Sequence, residues 1–517
     1  MSKFYITTPL YYVNASPHIG HAYTNIISDC MARYRKLKGE NVFFLTGTDE
    51  HGEKIREAAQ SKGEDVKRFA DRVVENFKHL WKKLNTSYDF FIRTTDSFHE
   101  DVVKRAIMKL HQKQDVYKAK YEAFYCVPCE SFWTESQVKD AGSCPSCKRQ
   151  VQKIEEENYF FRLSKYENWL KKYIKEHPDS VRPKIRYNEV TGFLENNTLE
   201  DLCISRPKKR VSWGIDFPLD DNYVVYVWFD ALLNYISAAG YGVNEEKFKS
   251  LWPADIHFIG KDILRHHAIF WPIMLHALEL EPPTTVFAHG WWKIGEEKMS
   301  KSIGNIVNPL ELVQKVGVDA VRYFLLREVP VGMDGNYSWT VIINRINGDL
   351  ANDLGNLVFR VLNMTEKYFE RKVEGKTTDK PPPQFQSFVG ALDLKERYTK
   401  HMDNVEFSSA LEGVWVFINV MNKYIEETKP WTLRKENKTD QLRHFIWSLL
   451  EGIRIASIYI FPFMPSTALS IARQLGRLID EKDIFLEAKG ACDVCWAPGK
   501  PFEIKKESPL FPRIDVD

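Results

Sequence analysis

The chain has 517 residues, 44% of them hydrophobic, 13% aromatic and 27% charged, and its 72 Lys+Arg nearly cancel 70 Asp+Glu. That composition excludes a disordered chain, and the longest apolar stretches, such as Ser457–Met464, fall far short of the ~20 residues needed to cross a bilayer. At roughly 150 residues per domain, three or four domains are expected, and any nucleic-acid partner must be held by local basic patches.

Met1 runs directly into the strand-like Phe4-Tyr5-Ile6, so no secretory signal is expected. A helix follows, with Tyr23, Ile27, Met31 and Tyr34 at helical spacing and Gly39 as its C′ residue. The apolar run Val42–Leu45 reads as a strand leading into the polar Thr46-Gly47-Thr48-Asp49. Phe90–Ile92, His257–Ile259 and Val286–Ala288 are further strands. This alternation predicts an α/β fold with a doubly wound parallel sheet, residues 1–115 forming one half and 216–290 the other.

Residues 116–215 differ in character, with cysteines, glycine, charge and little helical period, and are expected to be an insertion. Within it Cys126, Cys129, Cys144 and Cys147 form C-x2-C-x14-C-x2-C, the spacing of a tetrahedral structural zinc site. The eight cysteines do not resemble a secreted disulfide framework, and a cytoplasmic location is expected. Cys492-x2-Cys495 stands alone and reads as structural or incidental. From residue 346 to 517 the pattern becomes an α-helical bundle: Leu350, Leu354, Leu357 and Val361 share one face, and Val414–Ile425, Leu442–Ile460 and Ala468–Ile479 follow. Pro381-Pro382-Pro383 reads as a connecting loop.

Two short segments suit phosphate. Pro17-His18-Ile19-Gly20-His21 opens the first helix, where unpaired N–H groups and the helix dipole attract anions, with Gly20 leaving space for a nucleotide. Lys298-Met299-Ser300-Lys301-Ser302, between Gly295 and Gly304, is a polar loop with two mobile ammoniums. Alone, the first also reads as surface or metal-binding histidines and the second as a solvated basic loop. Together they resemble the paired signatures of the class I aminoacyl-tRNA synthetases. Thr7–Asn14, Thr46–Gly52, Val227–Tyr235, Gly260–Ile263 and Ala288–Gly290 further resemble the methionyl-tRNA synthetase family, over nearly the whole chain.

The resemblance implies a Rossmann-like catalytic domain with an inserted zinc-knuckle domain and a C-terminal anticodon-binding bundle, 291–345 carrying the lysine loop and a stem-contact region. It implies a methionine–tRNA ligase (EC 6.1.1.10) that forms methionyl-adenylate from L-methionine and ATP, then charges tRNA(Met). His18, His21, Lys298 and Lys301 are expected to be catalytic, and these with Gly20 and Ser300 to bind ATP, which brings Mg²⁺. Leu10, Tyr12, Asp49, Trp228, Ala231, Tyr235 and His289 are expected to bind methionine. Sulfur–aromatic contacts and an ammonium–carboxylate pair suit that ligand. Asp49 otherwise reads as a helix cap, and Trp228, Tyr235 and His289 as core. Lys261 and Asp262 are placed in the same cleft without a role. Asn356 and Arg360, four apart on a helix, and Trp431 after Pro430 are expected to read the anticodon, although spacing alone favours a solvated pair and a core indole. The insertion is expected to be mostly knuckle material, too small for the editing domain of the isoleucyl, valyl and leucyl relatives. The dimerising C-terminal extension of some methionyl enzymes is not seen, so a monomer is expected. The competing readings are another class I synthetase and a tRNA-binding protein without catalysis.

Overall fold

Asn41–Asp49 is the strand that orders the sheet, because both its edges are occupied in register. Leu45 pairs with Thr7 on one edge and Phe90 on the other, and Thr48 pairs with Tyr11 and Arg93. The computed structural model describes residues 2–126, 131–133, 138, 142–145, 149–295, 297–298, 307–389, 393–477, 481–488 and 496–515. Across the sheet the strands run Phe90–Arg93, Asn41–Asp49, Lys3–Thr7 with Tyr11–Tyr12 beyond it, Ile256–Gly260, Val286–His289 and Val181–Arg182, all parallel. The chain leaves Lys3–Thr7 toward one side and returns at Ile256–Gly260 on the other. This is a topological switch point, and the crevice outside the carboxyl ends of those strands is where an open α/β sheet takes its ligand.

The central strand extends past its apolar run. Thr46, Thr48 and Asp49 are buried, and the threonine hydroxyls are bonded locally: that of Thr8 donates to that of Thr46 at 2.8 Å and that of Thr48 to Glu50 at 2.7 Å. A side chain at Gly47 would collide with the Ile92 carbonyl, so glycine lets the neighbouring strand close in. The helix Ile19–Leu37 crosses this sheet and ends as expected, Gly39 following with φ +78°.

Two expectations need correction. The block 116–215 is more than knuckle material: after the antiparallel hairpin Val116–Cys126/Gln152–Phe161 it contains helices Glu167–Glu176 and Lys184–Asn196. Between those helices Val181–Arg182 joins the main sheet as an edge strand beside Val286–Phe287. Apolar positions Leu170, Ile174, Val190 and Leu194 are buried against the sheet's core, a helical period masked in sequence by the surrounding charge. The expected helix over Ala468–Ile479 instead spans Pro465–Gln474. Gly476 turns out of it at φ +70°, packed so closely on Glu503 that a Cβ would strike that carbonyl.

The remaining bundle follows the sequence pattern, with Asn356–Phe369, Phe407–Thr428 and Thr439–Ile460 as its long helices. Ile346–Gly355, just before the first, is wound as a π-helix. A short ladder, Lys372–Val373 against Phe502–Glu503, brings the C-terminal segment back onto the bundle. A charged seam joins bundle and sheet. Arg322, fully buried, pairs with Asp29 of the first helix at 2.7 Å and donates to the carbonyls of Leu84, Pro462 and Phe463. Among the described residues no helix is long and apolar enough to cross a membrane.

Candidate active site

His18 caps the helix Ile19–Leu37, and its backbone is extended (φ −128°). Its Nδ1 accepts from the Gly20 N–H at 3.1 Å, while the His21 Nδ1 accepts from the His18 N–H at 3.3 Å, and the rings stack with centroids 3.8 Å apart. Both Nδ1 atoms act as acceptors, so each neutral ring carries its proton on Nε2. The helix start thus holds two imidazole N–H donors beside its own positive end. Gly20 serves this arrangement first: a Cβ there would sit 2.9 Å from the His18 ring.

Asp49, Gly260 and His289 are the last residues of their strands, and Leu10 lies just past Lys3–Thr7, so all four share one rim. Asp49 is buried and ends a strand, not a helix cap; Gly52 precedes the next helix. Beyond it, Glu50 accepts a two-pronged pair from Arg93 at 2.6 and 2.7 Å. His51 Nδ1 lies 2.7 Å from Asp230, whose other oxygen lies 2.8 Å from His99. Burial pushes the Asp230 carboxyl up, but the two imidazoles outweigh it and hold the group below the ordinary carboxylate range. This bonded row ties the rim after Asp49 to the helix Val227–Leu232, which carries Trp228 and Ala231.

Trp228 and Tyr235 do not share one helix. They lie on consecutive short helices, Val227–Leu232 and Asn234–Ala239. Tyr12 meets Trp228 edge-on at 6.4 Å, and Trp228 stacks on His266 at 3.8 Å. The Tyr235 hydroxyl donates to His267 Nε2 at 2.8 Å, since His267 Nδ1 spends its proton on the Ile263 carbonyl at 3.0 Å. Burial pushes His267 down to about 4 and His266 to about 3, so both rings are neutral at physiological pH. The wall is aromatic and uncharged. Such a surface suits a thioether.

His289, the last residue of Val286–His289, lies against the first helix. Its Nδ1 donates to the Gly290 carbonyl at 2.7 Å, its Nε2 accepts from Thr24 at 2.7 Å, and Tyr23 packs against its edge. Thr24 and Tyr23 set it beside the histidine-capped helix, and His267 is the imidazole bonded to Tyr235. Sequence reading missed His267 because one histidine in an apolar helix carries no periodic signal; the adjacent pair His266-His267 was the available clue.

Glu297–Lys298 pairs with Trp292–Ile294, Lys298 opposite Lys293. Met299, Ser300, Lys301 and the rest through residue 306 lie outside the described residues, as do Cys129, Cys147, Cys492 and Cys495. Cys126 and Cys144 are buried. Cys126 pairs with Ser131 across one hairpin turn, and the Cys144 N–H donates to the Arg149 carbonyl at 2.7 Å across another.

In the bundle, Asn356 is exposed, and Arg360 pairs with Glu426 at 2.7 Å, shortly before the helix Pro430–Lys435. Trp431 is 47% exposed. A core position is excluded for that indole.

A sheet of this order with a histidine-capped first helix is the frame that the family comparisons match. Residues 4–157 and 150–362 match the model for "tRNA synthetases class I (M)", and 392–492 that for the "Anticodon-binding domain of tRNA ligase". The chain is 48% identical to the methionine–tRNA ligase of Caldanaerobacter subterraneus, over 99% of its own length and 79% of that protein. Its fold is similar to Mycobacterium tuberculosis methionyl-tRNA synthetase in complex with methionyl-adenylate, with a TM-score of 0.92, 40% identity, and coverage of 99% and 100% of the two chains. Against the apo form of that enzyme the TM-score is 0.86, at 37% identity and 100% and 99% coverage. These matches set the chain among the class I aminoacyl-tRNA synthetases. It belongs to the methionine–tRNA ligase family of that class, and its activity is the ATP-dependent ligation of methionine to tRNA.

Proposed function

We propose that the sheet's rim activates methionine between two preformed surfaces, the histidine-capped helix for the triphosphate and the Tyr235–His267–Trp228 wall for the side chain. One observation supports this reading: the Nδ1 atoms of His18 and His21 both accept from backbone N–H groups, which sets the proton of each neutral ring on Nε2 at the helix's positive end. Asp49 holds the substrate ammonium, and Leu10, Tyr12 and Ala231 complete the side-chain site. His289, fixed by its bond to Thr24, borders the same side-chain site from the helix side.

The methionine carboxylate is ionised at neutral pH and needs no base. Its oxygen forms a bond to the α-phosphorus as the bond to the β-phosphate oxygen breaks and pyrophosphate leaves. Catalysis rests on positioning and on neutralising charge, supplied by His18, His21, Lys298, Lys301, the Gly20 and Ser300 region and the Mg²⁺ that arrives with ATP. In the second step a hydroxyl of the terminal adenosine of tRNA attacks the methionyl carbonyl, and AMP departs.

Asn356 and Arg360 pair with a splayed anticodon base and Trp431 provides a stacking plate, supported by the exposure of that indole. Cys126, Cys129, Cys144 and Cys147 hold one zinc that organises the hairpin insertion and takes no part in chemistry. The division into catalytic halves at 1–115 and 216–290, an insertion, a 291–345 connector and a 346–517 bundle, the monomeric state and a cytoplasmic location belong to the same reading. Pyrophosphate exchange with ATP, run with each standard amino acid, tests it. Methionine alone is expected to support exchange, and Lys301→Ala to abolish most of it. Exchange driven by another amino acid, or untouched by the substitution, defeats the assignment.

A further inference from the structure

Lys261 and Asp262, which the sequence placed in the cleft without a role, lead to an acidic residue that no motif marks. The segment 331–337 is stitched to 290–293: the Gly290 N–H donates to Val331, Gly335 to Trp291, and Tyr337 to Lys293. The approach is so close that a Cβ at Gly290 would collide with the Met333 carbonyl, and one at Gly335 with the Trp292 ring at 2.9 Å. At the centre of this seam sits Asp334. Its carboxylate accepts from Lys261 Nζ at 2.7 and 2.9 Å and from the Trp291 N–H at 3.0 Å, and it pairs with Lys293 Nζ at 2.7 Å. Lys261 also lies over the Trp291 ring at 4.2 Å, whose Nε1–H donates to Asp262 at 3.1 Å.

One carboxylate therefore anchors two ammoniums with different attachments. Lys261 follows the carboxyl end of Ile256–Gly260, at the switch-point crevice. Lys293 lies on the strand paired with Glu297–Lys298, the entry to the lysine loop. Burial pushes the Asp334 carboxyl up, but the lysines and the Trp291 N–H reverse this, so it stays ionised throughout the working pH range. Lys261 is 17% and Lys293 32% exposed, so neither ammonium is sealed from solvent.

We propose that Asp334 is a positioning residue for the nucleotide half of the reaction: it holds Lys261 at the crevice and Lys293 at the root of the lysine loop in the arrangement that receives the triphosphate. This inference rests on the active-site reading above. Without the carboxylate the two ammoniums repel, and Lys261 loses its fixed place, while the methionine wall, built from other elements, is untouched.

The test is methionine-dependent ATP–pyrophosphate exchange with Asp334→Asn and Asp334→Glu, varying each substrate in turn. Asp334→Asn is expected to raise KM for ATP at least tenfold and lower kcat, with KM for methionine changed less than twofold; Asp334→Glu recovers part of the loss. Lys261→Met is expected to match the ATP effect and to add little in the double variant. Unchanged ATP kinetics, or equal rises in both KM values, overturns the inference, and a loss of kcat alone in step with a lower folded fraction assigns Asp334 a merely structural part and overturns it too. Absence of exchange in the unaltered chain would instead remove the underlying reading.

Discussion

Replacing Arg322 with methionine tests how sheet and bundle are joined. The guanidinium is fully buried, pairs with Asp29 at 2.7 Å, and satisfies the carbonyls of Phe463 at 2.8 Å, Pro462 at 3.0 Å and Leu84 at 3.2 Å. Removing one member of a buried pair costs about 3–5 kcal/mol, because the other charge is left in low dielectric. Asp29 keeps Arg33 at 2.9 Å and two bonds from Ser87, so the loss belongs near the lower figure. For a cooperative unit of about 200 residues, roughly 3 kcal/mol lowers Tm by about 6–12 °C. Acid adds an independent signature. Burial pushes Asp29 up, but Arg33, Arg322 and the Ser87 N–H hold its carboxyl at about 2, against an ordinary 3.8. A depressed carboxylate contributes stability that is present above its unfolded pKa and lost as pH falls through the folded one, here between about pH 4 and 2, worth roughly 2 kcal/mol. Arg322→Met raises the folded value, so part of that acid-sensitive loss disappears. Thermal melts followed by tryptophan fluorescence between pH 2 and 7 read both effects. A Tm within 1 °C of the parent, with an identical acid limb, refutes the reasoning.

Trp431→Ala removes an exposed stacking plate worth ~1–3 kcal/mol per base, so kcat/KM for tRNA falls roughly 5- to 150-fold while tRNA-free pyrophosphate exchange is unchanged. His21→Ala deletes one oriented donor at the helix start and lowers the exchange rate about 10²–10³-fold, with little change in KM for methionine; steady-state exchange kinetics separates the two. Burial holds His267 near 4, below its ordinary 6.5, so the neutral ring's contribution to stability is complete above about pH 6.5 and lost as pH falls toward 4. Methionine binding involves the folded protein alone, so calorimetry is expected to show it flat from pH 9 to about 6 and weakening only as pH approaches 4. For the proposed four-cysteine site, a strong chelator is expected to release one zinc per chain and to speed proteolysis of the insertion.

How much of this was legible depends on which signal each residue left. The five longer strands of the parallel sheet, the histidine-capped helix and its Gly39 stop, and the long bundle helices carried period or cap chemistry, and the structure has them where the pattern placed them. The extension of Asn41–Asp49 through four non-apolar residues was hidden because buried threonines satisfy each other across strands. The helices flanking Val181–Arg182 were obscured by the charge on their outer faces. His267 was invisible for a different reason: its place opposite Tyr235 depends on how two distant helices meet, which spacing within either cannot express. Asp334 was hidden likewise, since its partners lie 41 to 73 residues away in sequence. Trp431 ran the other way: spacing favoured the core, and the short proline-started helix presents it to solvent.

The most direct measurement is a crystal structure with a non-hydrolysable methionyl-adenylate mimic bound. The account places the mimic's phosphate position at the Nε2 atoms of His18 and His21, its ammonium on Asp49, and its thioether against Tyr235, His267 and Trp228. A sulfur seated away from the aromatic wall, or a phosphate away from the Ile19–Leu37 helix start, contradicts it.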